Sequence, residues 1–553
     1  MKRSTRKLVA LLLSLVLAVS MLAGCGSQKS ADGQQSNATA PTLNQANAAN
    51  ENVTNENAQG DAIQKDVINV GIQADLGELS PFGPSNTGRK DALNCFYQPL
   101  AHTINGEIVG VLFHDYEIGG TTDKPYLDMF LYDYIYDAAG NHLTANDIKF
   151  CLDKGKELGN LPDLYAVESA EVVDEYTIRF NFATELYIND INNVFDNLLI
   201  VTQAAYEASP DGMATNPVTT AHYQVVDYTP GYCLNVAKNE NYWQTDESLI
   251  SERDKANVDT INYYILTEPS QMSLALENGS IDMSWSVATD DIDHFTSTDD
   301  YWLFQSTDNL CDLLDFNCSE GRATADVNLR TALYYAINQE AIIEAIYGGA
   351  AFRMYDCAAM KCPDAQESWA TEDNYYQYSV EKAKEYLEAW GGDPASLNLE
   401  ILCLNDAAQA NEAQLIQGFF SAIGVTSTIT SYDSAQFNTA MDNGDWDALL
   451  FLNASAAYAP NLWKNIMAAE NYSWGGTRNF VYDDKLQELI KTARSLSGHS
   501  EESVQEAHEY IIENAYAYGV CNFKCNYVVT SDCSSVVCSF KGAVLPGACT
   551  YVK

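Results

Sequence analysis

The hydrophobic pattern is clearest between residues 311 and 347. The apolar residues Leu313, Leu314 and Phe316 predict a buried strand. Asp326 suits the N-cap of a following helix, because apolar residues then recur at three-to-four spacing at Leu329, Leu333, Ala336 and Ile337. Asn338 predicts the cap of a second helix. The simplest interpretation is an ordinary strand–loop–helix unit. The alternative is a strand that crosses between two lobes, followed by the helices that open the second lobe.

The same reasoning predicts further elements on both sides of this region. Thr177–Phe182 alternates apolar and polar residues, which predicts a half-buried strand. Thr144 is suited to the N-cap of a helix. Cys521 and Cys525 are expected to share one strand, too far apart to bridge one another. Helices and strands therefore alternate along the chain, as in an α/β protein.

The N-terminus has the pattern of an export signal. Met1–Gly24 combines a basic start with the apolar stretch Leu8–Ala18, which is too short for a typical membrane span. It ends in Leu22-Ala23-Gly24-Cys25, which resembles the bacterial lipobox. That resemblance implies a lipidated Cys25 and anchoring at the outer face of the cell membrane, since two or more acyl chains hold a protein there stably.

Residues 25–66 are predicted to form a lipidated, disordered tether. Residues 26–66 contain no aromatic side chain and are rich in Ser, Asn, Gln and Ala. Such a segment cannot bury enough apolar area to offset the entropy of ordering. Folded structure is therefore expected to begin near Val67.

Length and charge narrow the functional classes. The chain has 553 residues, so the part after the tether is long enough for two or more cores. The net charge of −46 argues against nucleic acid or an anionic membrane surface as a partner. It is compatible with a cationic ligand, or simply with a solvated acidic surface on an exported protein.

The cysteines leave two interpretations open. The chain has 14, and removing Cys25 leaves an odd number. No pair has C-x-x-C spacing, which excludes a zinc ribbon and a thioredoxin motif. Cys357 with Cys362 and Cys533 with Cys538 are candidates for short-loop disulfides, and free thiols explain the odd count equally well.

No local motif indicates catalysis. The chain lacks the serine hydrolase, zinc protease, P-loop and dinucleotide-binding signatures, and its seven histidines have no metal-ligand spacing. A lone histidine such as His222 is more often a packed or surface residue than a functional one. We therefore expect neither an enzyme nor a cofactor or metal site. An active site assembled from distant residues is the alternative.

An ordered series of short motifs resembles solute-binding protein family 5, the peptide- and nickel-type extracellular binding proteins of ABC transporters. The stretches that resemble the family's motifs are Leu79–Pro81, Gly140–Ile148, Asn216–Tyr223, Gly279–Asp282, Phe316–Leu333, Ser379–Gly391 and Gly418–Ile429. In the third of these, Thr219, Ala221 and His222 replace the family's glycines and inner proline. The likeness extends over nearly everything after the tether.

The resemblance implies an α/β, two-lobed periplasmic-binding-protein-like fold with an interlobe cleft and two crossing hinge segments. Lobe one would be residues 67–310 with the return 522–553, lobe two residues 311–521, and residues 104–214 an extra subdomain on lobe one. The implied function is to capture a small solute, most simply peptide-like, and deliver it as a monomer to the permease and ATPase subunits of an importer. A ligand sensor without transport, or a sugar or metal-chelate ligand, is the alternative.

The resemblance also implies candidate cleft residues. The stretch after a predicted strand lies against the ligand in peptide-binding relatives, which suggests Asn453, Ser455 and Tyr458, with Trp463 on the next helix. Other segments suggest Ser85, Asn86, Trp285, Arg353 and Tyr355. Turn formation, core packing or a surface ion pair explains each of these residues about as well.

One departure from the family pattern bears on specificity. Oligopeptide-binding relatives carry an Ala-Asp-Tyr-x-x-Pro element whose aspartate pairs with the ligand's α-ammonium group. The nearest stretch here runs Ala456-Ala457-Tyr458-Ala459-Pro460, with Ala457 in place of the aspartate. A free N-terminus should therefore add little affinity, unless another acid such as Asp442 or Asp447 reaches the same place.

Overall fold

The computed structural model describes residues 53–55, 58–83, 92–104, 107–161, 164–285, 287, 291–358, 362–370, 375–454, 458–469, 477–539 and 543–553. All of them belong to one unit of the chain, Leu43–Lys553. Within these described ranges no helix is long and apolar enough to cross a membrane.

The strands cover the described part of the chain from end to end. They are β1 (Val53–Thr54), β2 (Ala62–Ile63), β3 (Lys65–Ile72), β4 (Ala101–Ile104), β5 (Glu107–Gly110), β6 (Phe113–Thr121), β7 (Lys124–Leu131), β8 (Val167–Asp174), β9 (Thr177–Phe182), β10 (Tyr223–Thr229), β11 (Cys233–Lys238), β12 (Val258–Ile265), β13 (Met283–Ser284), β14 (Tyr301–Phe316), β15 (Ala351–Arg353), β16 (Asn398–Leu404), β17 (Thr426–Tyr432), β18 (Ala448–Ala454), β19 (Tyr518–Thr530), β20 (Cys533–Val536) and β21 (Thr550–Val552).

The α-helices lie between them. They are α1 (Ala145–Glu157), α2 (Ile188–Asn197), α3 (Gln203–Ala208), α4 (Pro269–Glu277), α5 (Ile292–Thr296), α6 (Val327–Tyr335), α7 (Gln339–Tyr347), α8 (Val380–Trp390), α9 (Ala407–Ala422), α10 (Ser434–Asn443), α11 (Ala459–Met467), α12 (Asp484–Arg494) and α13 (Glu501–Glu513).

Local capping begins the helices where the sequence predicts. The Asp326 carboxylate accepts hydrogen bonds from the backbone N–H groups of the first turn of α6, and Asn338 accepts one in the first turn of α7. Thr144 forms a capping box with Asp147 at the start of α1. These bonds satisfy N–H groups that have no partner inside the helix. The predicted strand–loop–helix order around residues 311–347 is confirmed.

The two longest strands, β14 and β19, join two groups of elements into one sheet. The order of strands is β10-β11-β12-β3-β13-β19-β14-β18-β16-β17. β15 also pairs with β19, at a different part of that strand from β13. β14 and β19 are antiparallel from Tyr301 opposite Thr530 to Leu314 opposite Tyr518. Their register shifts between Thr307 and Cys311, which is where the sheet passes from one group to the other. The predicted crossing segments are therefore paired strands.

The apolar cores separate at the same place. One large cluster runs from Ile68 to Phe304 and resumes at Tyr527. The two clusters on the other side of the crossing contain residues between Cys311 and Val520. Two apolar cores that separate at the crossing strands make two lobes, and the predicted fold class is confirmed. The boundaries proposed for the lobes and for the extra subdomain 104–214 stay a prediction.

A separate antiparallel sheet stands on lobe one. Its order is β6-β7-β9-β8, and α1 packs on it through buried residues such as Ile148 and Leu152. Ile178, Phe180 and Phe182 of β9 are buried, as the alternation predicts. This region also carries α2, which contacts lobe two.

The prediction that folded structure begins near Val67, after a tether ending at 66, is wrong. Val53–Thr54 pairs with β20, and Ala62–Ile63 pairs with β21. Lys65 already lies in β3, opposite Val258 of β12. These strands are held mainly by backbone hydrogen bonds to the C-terminal strands, and such bonds need few apolar side chains.

The cysteines and His222 are packed residues. The thirteen cysteines within the described ranges are free thiols, including Cys357, Cys362, Cys533 and Cys538. The His222 ring stacks on Tyr242 at 3.7 Å between centroids, and Nδ1 lies 2.7 Å from the Asp254 carbonyl oxygen. Burial lowers the pKa of His222, which keeps the ring neutral.

Candidate functional site

The lobe-two side of the cleft is set by the start of α11. Tyr458 occupies the N-cap position and Pro460 lies in the first turn, where its missing N–H costs nothing. The Ala459 backbone N–H donates to Asp364 Oδ1 at 2.9 Å, which ties the helix start to a distant loop. Tyr458 is only 4% exposed. A helix start usually faces solvent, so this burial indicates that another part of the protein covers the Tyr458 side chain.

The lobe-one side is α2, which is buried on both of its faces. Ile191, Val194 and Phe195 pack into the core of lobe one. On the other side Asn189, Asp190 and Asn192 are buried as well, although they are polar. A helix whose polar face is also buried must be covered by another part of the protein.

Residues of lobe two provide that cover. Tyr187, just before α2, forms an antiparallel backbone bridge with Ser495, just after α12. The Arg494 guanidinium lies 4.0 Å from the centroid of the Tyr187 ring. Lys491 Nζ lies 3.0 Å from Glu185 Oε2. The two lobes therefore meet directly, and the cleft between them is closed at this edge.

Two buried groups at this contact have shifted pKa values. Burial raises the pKa of Asp190, and the charges of Arg494 and Lys464 oppose that shift. Burial also raises the pKa of the Tyr458 hydroxyl, and a hydrogen bond with Asn192 opposes it. In both cases a group of one lobe lies close enough to a group of the other lobe to affect its pKa.

Asn453 and Tyr458 lie on the side of the sheet that faces α11. Asn453 pairs with Cys311, which in turn pairs with Asn522, so the three side chains share one face. Asn453 is 7% exposed, and its Nδ2 has no hydrogen-bond partner in the described part of the chain. A buried amide donor of this kind is available to a ligand.

Arg353 and Tyr355 lie on the opposite face. Arg353 pairs with Cys521, and Cys521 with Asp312, which places its side chain toward α7 rather than α11. There its Nε donates to Gln339 Oε1 at 2.7 Å, and its guanidinium lies 5.1 Å from the Tyr355 ring centroid. The structure does not bring this pair together with Asn453 and Tyr458.

The two tryptophans have different surroundings. Trp463 is fully buried in lobe two, beside Trp369 and His508. Trp285 follows β13, and its ring packs against Tyr263 at 5.9 Å. Its Nε1 has no partner among the residues described. Trp463 is therefore a core residue, although its Nε1 also lacks a partner among the residues described, and Trp285 is half-buried.

The remaining predicted residues, Cys25, Ser85, Asn86 and Ser455, lie outside the described residues. The sequence interpretation also missed the residues that meet across the lobes, namely Glu185, Tyr187, Asp190, Asn192, Lys464, Lys491 and Arg494. One signal was available, since Ile188–Asn197 places several polar residues among apolar ones at helical spacing. Within the described ranges, no group of three or more His, Cys, Asp or Glu side chains could hold a metal ion.

The two lobes share crossing strands, and polar side chains meet between them. This is the arrangement of binding proteins whose domains close around a ligand. The sequence matches the family described as bacterial extracellular solute-binding proteins, family 5 Middle, over residues 110–473. The chain belongs to this family.

Curated relatives have different ligands in their names. The chain is 24% identical to heme-binding protein A of Haemophilus influenzae, over 62% of this chain and 61% of the relative. It is 21% identical to the dipeptide-binding protein of Escherichia coli, over 65% of this chain and 69% of the relative. The chain therefore spans about six to seven tenths of the length of these relatives.

Solved structures agree with the fold. The ABC transporter substrate-binding protein CtaP of Listeria monocytogenes superposes with a TM-score of 0.69. The match covers 88% of this chain and 99% of that chain at 19% identity. At this identity the likeness establishes the architecture alone.

Proposed function

We propose that the protein captures a peptide or peptide-like solute between its lobes, outside the cytoplasm, and delivers it to an ABC importer. The observation that carries this proposal is the buried polar contact between α2 of lobe one and α11–α12 of lobe two, which joins the lobes across the cleft. The dipeptide-binding relative supports a peptide-like ligand. The heme-binding relative keeps a non-peptide solute as the second candidate.

Solute capture is tested by thermal unfolding of the full chain with peptide, heme and metal-chelate candidates. A ligand that binds only the folded state adds about 2.7 kcal/mol of stability at a hundredfold excess over its Kd. We expect one class to raise the melting temperature, and either to reduce the radius of gyration in small-angle scattering or to slow hydrogen exchange at the Tyr187–Ser495 contact. A tight ligand that did neither would contradict capture by closure.

We further propose that this protein does not select peptides by their free α-amino group. Ala457, which stands where relatives carry an aspartate, lies outside the described residues. Of the two acids considered as substitutes, Asp447 pairs with Arg322 at 2.8 Å and also accepts from the Glu400 N–H. Asp442 is exposed on α10. Neither is placed beside Tyr458 by a contact.

Calorimetry with a peptide library and its N-acetylated counterparts tests this specificity. We expect free and acetylated peptides to bind within a fewfold of each other. Tenfold tighter binding of free peptides, a difference of about 1.4 kcal/mol, would contradict it. In that case Asp364 is the acceptor to replace, because its carboxylate already lies at the start of α11.

We propose that Cys25 carries the lipid that holds the protein at the outer face of the cell membrane. The lipobox-like Leu22–Cys25 after an apolar stretch supports this. We expect Cys25→Ser to move the protein from the membrane fraction to the medium or periplasm, as measured by fractionation and immunoblotting. Cys95→Ser is the control and should leave the protein in the membrane fraction. Retention of Cys25→Ser with the membrane would contradict the anchor.

A further inference from the structure

Five of the eleven Lys and Arg residues of lobe two lie within one segment of 31 residues. Between Lys384 and Lys464 the sequence contains no Lys or Arg. Five then occur within residues 464–494, and the next is Lys524. In a chain with 30 basic and 76 acidic residues, such a cluster calls for a physical reason.

Three of these five cations face lobe one. Lys464, on α11, lies 5.5 Å from the ring of Tyr165 and is 4% exposed. Lys491 and Arg494, in the last turn of α12, meet Glu185 and Tyr187 as described above. The other two stay within lobe two: Arg478 packs on Phe451, and Lys485 on Tyr510.

The surface that they meet carries acidic groups. Glu185 precedes α2, and Asp190 lies in its first turn, where its Oδ2 accepts from the Tyr187 N–H at 3.1 Å. The lobe-two cations therefore oppose lobe-one acids across the contact between the lobes. The Tyr187–Ser495 backbone bridge fixes the register of this contact.

We propose that Lys491 and Arg494 form an electrostatic latch with Glu185, Tyr187 and Asp190 that stabilises the closed state of the binding protein. This proposal rests on the proposed function, because closure of the lobes is the step that encloses the solute. In so acidic a chain, bringing the lobes together is opposed by like charges, and a local attraction offsets that repulsion. These are positioning residues, since they act on closure rather than touch the solute.

The test is hydrogen exchange of the full chain, followed by mass spectrometry of peptides that cover residues 185–197 and 491–500. Lys491→Glu converts an attraction at a half-exposed pair into a repulsion. Exposed pairs have modest strength, so we expect exchange in both peptides to accelerate by about three- to tenfold. The double variant Glu185→Lys with Lys491→Glu restores opposite charges and should return exchange to within about twofold of the wild type.

Lys485→Glu is the matched control, because it makes the same charge change on the same helix but faces Tyr510 within lobe two. It should leave exchange at residues 185–197 unchanged. If Lys491→Glu behaved like Lys485→Glu, or if the double variant exchanged as fast as the single one, the latch would be overturned. The measurement needs no ligand, so its result is independent of the ligand search. Failure of the peptide, heme and metal-chelate candidates alike to stabilise the chain would count against the proposed function and leave the exchange result standing.

Discussion

Arg330→Lys is expected to lower the free energy of unfolding of lobe two by about 3–5 kcal/mol, because several buried carbonyl oxygens lose a charged donor at about 1–3 kcal/mol each. Arg330 is 3% exposed, and it lies in Phe316–Leu333, one of the stretches that resemble the family's motifs. Lysine keeps the charge but cannot reproduce the planar set of donors.

The contacts of Arg330 explain the size of this effect. Its Nε donates to the Ala515 carbonyl at 2.9 Å, and Nη2 to the Asn514 carbonyl at 2.7 Å. Its Nη1 donates to the carbonyls of Thr324 and Ala325, each at 2.8 Å. The side chain thus ties the loop before α6 to the end of α13, next to the returning strand β19. Without it, several buried carbonyls lose their donors.

Differential scanning calorimetry measures this effect. For a lobe of about 200 residues, the loss should lower the melting temperature by roughly 10 °C. Arg353→Lys is the matched control, because Arg353 is half-buried in the same lobe and makes one side-chain hydrogen bond, to Gln339. It should shift the melting temperature by no more than about 3 °C. Equal shifts for the two variants would show that the motif arginine has no special structural role.

Asp315→Asn is expected to make the protein more stable relative to wild type as the pH rises. Asp315 lies in β14 at 0% exposure, and neither carboxyl oxygen has a hydrogen-bond partner among the described residues. Burial raises its pKa to about 7, and the charge of Arg478 opposes that shift. The folded state therefore holds the proton more tightly than the unfolded state does.

The sign of the pH dependence follows from this difference. Below the ordinary carboxyl pKa of about 4, the group is protonated in both states, and its contribution is fully present. As the pH rises from about 4 through about 7, the unfolded state ionises first and the free energy of unfolding falls. The total loss for one such group is on the order of 2–4 kcal/mol. Asp356, whose pKa burial raises to about 8, adds a loss of the same sign.

Urea unfolding at pH 4.5 and pH 8 measures the predicted difference. Asparagine does not ionise, so the stability of Asp315→Asn relative to wild type should rise by about 2–4 kcal/mol between the two conditions. Asp393→Asn, at an exposed position in the same lobe, serves as the control and should run parallel to wild type. A parallel profile for Asp315→Asn would mean that this carboxyl is not the buried titrating group inferred here.

Local features of the fold could be predicted from the sequence because their causes are local. Asp326, Asn338 and Thr144 cap helices through bonds to residues two or three positions ahead. Leu313, Leu314 and Phe316 form a buried strand for a similar reason. Successive side chains of a strand face opposite sides of the sheet, and here each side carries an apolar core. The ordered motifs, taken together, predicted the two-lobed fold.

The start of the folded region could not be predicted in this way. Val53 and Ala62 lie in strands that pair with residues near the C-terminus, almost five hundred positions away. Because these pairs depend mainly on backbone hydrogen bonds, the polar composition of residues 26–66 indicated disorder instead.

The amino-acid sequence was enough to predict the class of protein and the position of the crossing strand. Which residues meet could be learned only from the folded chain. Arg353 and Asn453 lie on opposite faces because β14, β15, β18 and β19 pair in one particular register, and a shift of one residue would reverse the faces. Likewise Tyr187 meets Ser495 only because folding brings these distant segments together across the two lobes. Side-chain chemistry can be read from a sequence, but proximity between distant segments is set by packing and strand register.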